Sequence, residues 1–198
     1  MVNYKNTKDT SELKQILSLQ AENLPSALSG EEQEQQGFVT VQHDFPLLRD
    51  MAEIHGHVVA VANNRVVGYA LVMLPNFANR VPKLQSMFER LGHLTYRGRP
   101  VPALRYFVIG QICVAHDYRG KGVFKGLYQQ MKTSMSPFYE VTITEVATRN
   151  PRSLRAHQKV GFQRLETNTT HPDDPWEIIV WDFSPRDDNP GESTLLPD

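Results

Sequence analysis

Residues 105–148 restrict the possible folds more than any other part of the chain. RYFVIGQICV (105–114) is rich in β-branched and aromatic residues and has the length of a buried strand. From Gly122 to Met135 a helical spacing puts Phe124, Leu127, Tyr128, Met131 and Met135 on one side. VTITEVAT (141–148) reads as a second strand. Strand, helix and strand at these lengths form a crossover, so the two strands are expected to be parallel neighbours.

The flanking sequence supplies further elements. A short strand is expected near 3–6. Asp9 and Glu12 then have capping-box spacing, ahead of a helical stripe of Leu13, Ile16, Leu17, Ala21 and Leu24 that Pro25 ends. The polar stretch 29–36 reads as a loop or an exposed helix. Pro46 opens a second helix with Leu47, Leu48, Met51 and His55 on one side and Gly56 as its stop. HVVAVA (57–62) and VVGYALVML (66–74) form a hairpin about Asn63-Asn64, a pair that tolerates positive φ. Leu84, Met87, Phe88 and Leu91 mark a third helix closed by Gly92, and 93–104 reads as a loop. Asn150 caps a helix with Pro151 at its first position. Strands near 162–169 and 176–183 complete an α/β chain, an α+β mixed sheet with helices on both faces.

Tyr118-Arg119-Gly120-Lys121-Gly122-Val123-Phe124 lies where the first parallel strand gives way to its helix. Ligands of open α/β sheets bind beyond the carboxyl ends of parallel strands. A helix N-terminus presents unpaired N–H groups and a positive dipole end, and Arg119 and Lys121 add charge. The loop therefore suits a pyrophosphate. A P-loop would need Lys and Ser or Thr after the second glycine. The dinucleotide fingerprint would need a different last interval than Gly120, Gly122 and Gly126 provide.

Ile112-Cys113-Val114, four residues and then RGKGVF resemble the first signature of the GNAT acetyltransferase superfamily. Asn150 through Lys159-Val160-Gly161-Phe162 resembles the second. The resemblance runs from about 105 to 163 and takes in the hairpin at 57–74. It implies a domain over 1–183 with splayed parallel strands, and the proline-containing, acidic stretch 184–198, with few groups to bury, reads as a flexible tail. It implies acetyl-CoA as co-substrate and no metal. Pantetheine would pair with the backbone of Ile112, Cys113 and Val114, and the pyrophosphate would lie on Arg119, Gly120, Lys121, Gly122, Val123 and Phe124. Asn150 and Ser153 would touch the cofactor further along. Two positions depart from the family pattern: Phe124 stands where glycine or alanine is usual, and His157 where many members have tyrosine.

The resemblance implies acetyl transfer to a primary amine, and an amine nucleophile must lose a proton while the thiolate leaves. Glu145 matches the proton acceptor of related N-terminal acetyltransferases, with a surface-paired carboxylate as the alternative. His157 could donate to the sulfur or be a backbone-bonded helix histidine. Cys113, in an apolar strand without a basic neighbour, reads as a small buried residue rather than a nucleophile. The acceptor would be a small molecule or a peptide N-terminus. A non-catalytic acyl-CoA sensor on the same fold is the alternative function. Residues 25–45, 75–104 and the last hairpin, which would decide the acceptor, carry no readable signature.

With 21 basic and 22 acidic residues in 198, the net charge of -1 gives no long-range pull toward nucleic acid or an anionic membrane. The single cysteine fits a reducing compartment. No stretch approaches the roughly 18 apolar residues of a membrane span. Met1 to Thr10 lacks an apolar signal core. The expectation is a cytoplasmic monomer or homodimer.

Overall fold

The computed structural model describes residues 1–31, 38–170 and 172–184. Its elements run β1 (Asn3–Thr7), α1 (Thr10–Ala21), α2 (Phe45–Ala52), β2 (His57–Ala62), β3 (Arg65–Met73) and α3 (Gln85–Leu91). A two-stranded excursion, β4 (Thr95–Tyr96) and β5 (Arg99–Pro100), precedes β6 (Tyr106–Val114) and α4 (Val123–Met135). The chain closes with β7 (Val141–Ala147), α5 (Pro151–Val160), β8 (Gln163–Asn168) and β9 (Trp176–Asp182). Seven strands form one mixed sheet in the order β1-β2-β3-β6-β7-β9-β8.

Local chemistry accounts for most of these boundaries. Asn63 and Asn64 adopt φ of 50° and 60°, as the β2–β3 turn requires. Asp44 and Asn150 cap α2 and α5 by accepting from the backbone N–H groups of Leu47 and Ser153. Asp9 caps α1 in the same way through Glu12, but the reciprocal half of the expected capping box is missing. The Glu12 carboxylate takes the Thr7 hydroxyl and Lys5 instead, and the Asp9 N–H donates to Thr7 Oγ1. The buried stripe of α1 is Leu13, Ile16, Leu19 and Gln20, rotated from the expected one, so Ala21 is exposed. Residues 93–104 contain the small β4–β5 hairpin rather than a plain loop. The expected exposed segment falls outside the described residues over 32–36, as does the expected tail beyond Ser184.

The sheet has a core on each face. Leu13, Leu48, Met51, Met87 and Leu91 carry α1, α2 and α3 onto Val59, Tyr69, Leu71, Val108 and Ile143. On the other face, Val123, Leu127, Tyr128, Met131 and Met135 of α4 pack on Val58, Ala70, Phe107 and Ile109. Gly126 lets α4 lie against β1, since a Cβ there would come within 2.2 Å of the Tyr4 ring. Among the described residues, no helix is long and apolar enough to cross a membrane.

The centre of the sheet positions the site. β6 pairs with β3 antiparallel, Leu71 opposite Gln111 but Val72 opposite Ile109, so Gly110 is the extra residue of a bulge. The bulge resets the alternation of side chains. Ile109 and Val114 join the α4 face, whereas Gln111 turns toward α1. On its other side β6 pairs parallel with β7 only at Tyr106, Phe107 and Val108, opposite Val141, Thr142 and Ile143. Beyond that point the strands part. At the fork, the Thr144 hydroxyl donates to Ile109 O at 3.0 Å, as Thr142 does to Phe107 O at 3.1 Å. Replacing Thr144 with Val keeps the shape and deletes the donor beside a buried carbonyl. The expected loss is about 1–3 kcal/mol, read as a lower urea midpoint at unchanged slope. An unchanged midpoint would show that the hydroxyl does not help to hold the fork.

Candidate active site

Where β6 and β7 separate, two cavities meet. The larger, about 370 Å³, runs between β6, the 118–122 loop, α4 and α5. The smaller, about 80 Å³, lies around Gly110, Thr144, Glu145 and His157. Phe38, Val39, Ile112, Asn150 and Ser153 border both.

The larger cavity ends at the N-terminus of α4. Gly120 and Gly122 hold φ of 72° and 81°, left-handed values that L side chains rarely adopt. Gly122 is the N-cap, and no side chain caps this end. The first-turn N–H groups are thus left for a ligand. Lys121 is exposed, 5.9 Å from the Tyr118 ring centre. Arg119 lines this cavity and its side chain also has structural bonds. Its Nε donates to Val114 O at 3.0 Å and its terminal nitrogen to Asn23 Oδ1, so the guanidinium ties the end of β6 to the end of α1. Lys125, Arg152 and Lys159, which the sequence reading did not single out, add to the cavity's basic lining. Their signal was available: Arg152 and Lys159 are two helical turns apart on α5, and so share a face.

Ile112, Cys113 and Val114 lie past the last β6–β7 pair, so their backbone borders the opening as an unpaired strand edge would. Burial pushes the Cys113 thiol up to about 12, so the sulfur stays protonated and is no nucleophile at neutral pH. Asn150 borders both cavities while its side chain caps α5. Ser153 Oγ lies 3.3 Å from His157 Nδ1.

Glu145 sits on β7 opposite Ile178 of β9. Burial raises its carboxyl to about 7, against a smaller lowering by a hydrogen bond from Asn168. Its Oε2 is buried with no hydrogen-bond partner. Asn168 is itself held in place: Oδ1 accepts from the Thr170 N–H and hydroxyl at 3.1 and 2.7 Å, and Nδ2 donates to Ser86 Oγ at 3.3 Å.

His157 is 1% exposed. Ser153 O accepts from Nδ1 at 2.8 Å, so Nδ1 carries the proton and Nε2, buried without a partner, carries a lone pair. Burial also lowers its pKa to about 4, which keeps the ring neutral at pH 7. That state does not suit the expected donation to sulfur, because the one N–H is already engaged. His157 packs edge-on against Phe124, ring centres 5.1 Å apart, and beside Tyr128 and Phe162. The two departures from the family pattern are therefore in contact. Among the described residues, no group of three His, Cys, Asp or Glu side chains could hold a metal ion.

Known proteins agree with this geometry. The sequence matches the model of the acetyltransferase (GNAT) family over residues 13–162. No curated protein matches it significantly. Among solved structures, the Escherichia coli ribosomal-protein-S18-alanine N-acetyltransferase superposes with a TM-score of 0.61 at 12% identity, covering 96% of this chain and 98% of that one. The NatC complex bound to Gag peptide and CoA gives 0.60 at 14% identity, over 92% and 99% of the two chains. The Salmonella typhimurium protein yncA, solved with its cofactor acetyl-CoA, gives 0.58 at 12%, over 92% and 94%. At these identities the structures speak for the fold, and the family match takes in β2 through β7, the 118–122 loop and Asn150. The chain belongs to the GNAT family of acetyltransferases.

Proposed function

We propose that this chain moves the acetyl group of acetyl-CoA to a primary amine, with Glu145 as the proton acceptor. The observation that carries this reading is the buried, unpartnered Oε2 of a carboxyl raised to about 7, lining the smaller cavity where it meets the cofactor-sized one. A carboxylate tuned near the working pH is what general-base catalysis needs. A protein that only sensed acyl-CoA would have no use for it.

The residues present fit the cofactor. Uncapped N–H groups at Gly122 to Phe124 would take the pyrophosphate, with Lys125, Arg152 and Lys159 alongside. The free edge of Ile112 to Val114 would pair with the pantetheine amides. This lays the thioester across the fork, where Glu145 faces the acceptor. Glu145 takes one proton from the ammonium. The nitrogen lone pair then forms a bond to the acetyl carbon, and the carbon–sulfur bond breaks as the adduct collapses. The nitrogen gives its second proton to water at the open end of the cleft, and the thiolate takes up a proton from that water, so the two exchanges balance. His157, neutral and bonded to Ser153 O, packs under this corner of the site and holds Ser153 and Phe124 in place.

Three outcomes are expected. At 100 times its dissociation constant, CoA should stabilise the parent protein by about 2.7 kcal/mol in thermal unfolding. Gly122→Asp, which sets a carboxylate against the pyrophosphate, should lose that shift. Gly122→Asn tolerates the same backbone without the charge and should keep most of it. Equal shifts for both variants would move the phosphate site elsewhere.

Glu145→Gln should lower kcat by ~10²–10⁴-fold. In the parent, kcat/KM should climb as pH rises through about 7 and then level off, because only the carboxylate accepts a proton. The stability effect has the opposite direction. A carboxyl raised in the folded state weakens folding above its unfolded value near 4.5, fully so beyond about 7. The Gln variant should therefore gain stability at pH 8 and none at pH 4. A parent-like, pH-independent Gln variant would remove Glu145 from the chemistry.

His157→Phe, if folded, should lose far less than the ~10²–10⁴-fold expected on removing a general acid, and should keep the parent pH profile. A drop in that range would restore the imidazole as a proton donor.

A further inference from the structure

We infer that the acceptor is a primary amine borne on an apolar group, with no second charge close to the amine. The inference rests on the acetyl-transfer reading above and concerns what the smaller cavity admits. Its walls are Val39 and Val41, Leu84 and Met87, Ile109 of β6 and Trp176 of β9. Among its described lining residues, Glu145 is the one that carries formal charge, since His157 is neutral with its N–H engaged. The cavity holds about 80 Å³, enough for an amino head and its first few carbons.

Charge balance then selects the substrate. One ammonium against one carboxylate makes a neutral pair, and proton transfer leaves a neutral amine beside a neutral acid. A free amino acid would bring a carboxylate to the same apolar walls, and no described lining residue is a cation. Two cations that touch lining residues from outside are both engaged: Lys83 Nζ donates to Thr40 O at 2.8 Å, and Arg149 lies 4.7 Å from the Phe38 ring centre. Arg149 is bonded to the Asp174 carboxylate at 2.8 and 3.3 Å. A polyamine would bring a second ammonium with no second carboxylate in the lining. An unpaired charge buried in such surroundings costs roughly 10²-fold or more in transition-state binding. Apolar walls gain from any carbon they cover, and so favour a leucine-like or aromatic substituent. A small apolar amine and a peptide N-terminus with an apolar first residue share this chemistry.

The test supplies the full chain with acetyl-CoA and four amines and follows thiol release and product mass at pH 8. Leucine amide stands for a peptide N-terminus and phenethylamine for a small apolar amine. Leucine and spermidine add a carboxylate and further ammonium groups. At least one of the first two should exceed both of the last by roughly 10²-fold in kcat/KM, and which one leads tells the two sources apart. Leucine or spermidine turning over as well as leucine amide would overturn the inference and leave acetyl transfer intact. No acetylation of any of the four would overturn both. Trp176→Glu, at a half-buried position on the cavity wall, adds a second carboxylate. It should raise spermidine relative to leucine amide by about tenfold. An unchanged ratio would show that this wall does not choose the acceptor.

Discussion

The parting of β6 and β7 beyond Val108 and Ile143 is the constraint on which the rest of the site depends. Parallel strands normally stay hydrogen-bonded along their length, because unpaired backbone groups are costly in a protein interior. Here the ladder stops early. The Gly110 bulge bends β6 away while keeping it paired to β3, and Thr144 closes the fork with its hydroxyl. Three things follow from that geometry. β6 offers a free edge, α4 starts beside it with open N–H groups, and Glu145 comes to line a space with no strand partner to fill it.

The bulge is held from the α1 side by a buried polar network. Gln111 accepts from Gln20 Nε2 and from the Tyr69 hydroxyl, and donates to Val41 O at 2.7 Å. Gln20 in turn accepts the His43 N–H and contacts the His43 ring. These bonds fix the 38–44 segment over the cleft, which is how Val39 and Val41 become walls of the acceptor side. Arg119 does the same work at the other end by tying β6 to Asn23. Although His43 Nε2 is left without a partner, such a buried network specifies one arrangement, because each broken bond strands a polar group away from water.

Burial also divides the labour among the ionisable groups. It raises Glu145 toward neutrality, holds the Cys113 thiol protonated and keeps His157 uncharged. One physical cause thus raises the carboxyl and the thiol and lowers the imidazole. The basic side chains of the larger cavity gather instead near the N-terminus of α4, where Lys125 and Lys159 remain exposed. Such a local cluster needs no large net charge to attract an anion. Phe124 and His157 fill one another's space, so two substitutions that each look disruptive in the sequence form a single packed contact.

What the sequence determined by itself was whatever depends on neighbours along the chain. Periodicity placed β6, α4 and β7, and the asparagine pair placed the β2–β3 turn. Asn150 before Pro151 marked α5, and the glycines of 119–124 marked an anion-binding turn, because left-handed φ and missing caps are local properties. Glu145 came from the family resemblance rather than from local pattern. The α1 stripe was misjudged, since Leu19 and Gln20 are buried by partners on distant strands rather than by spacing within the helix. Only the tertiary structure decided that Arg119 is a strut, that Lys125, Arg152 and Lys159 line the cofactor cavity, and that His157 has its proton on Nδ1. It alone set the pKa of Glu145 and assembled the acceptor wall from residues 39, 41, 84, 87, 109 and 176. Protonation depends on how much water is excluded and on which partner lies across the cleft, and both are set by chain segments far apart in sequence.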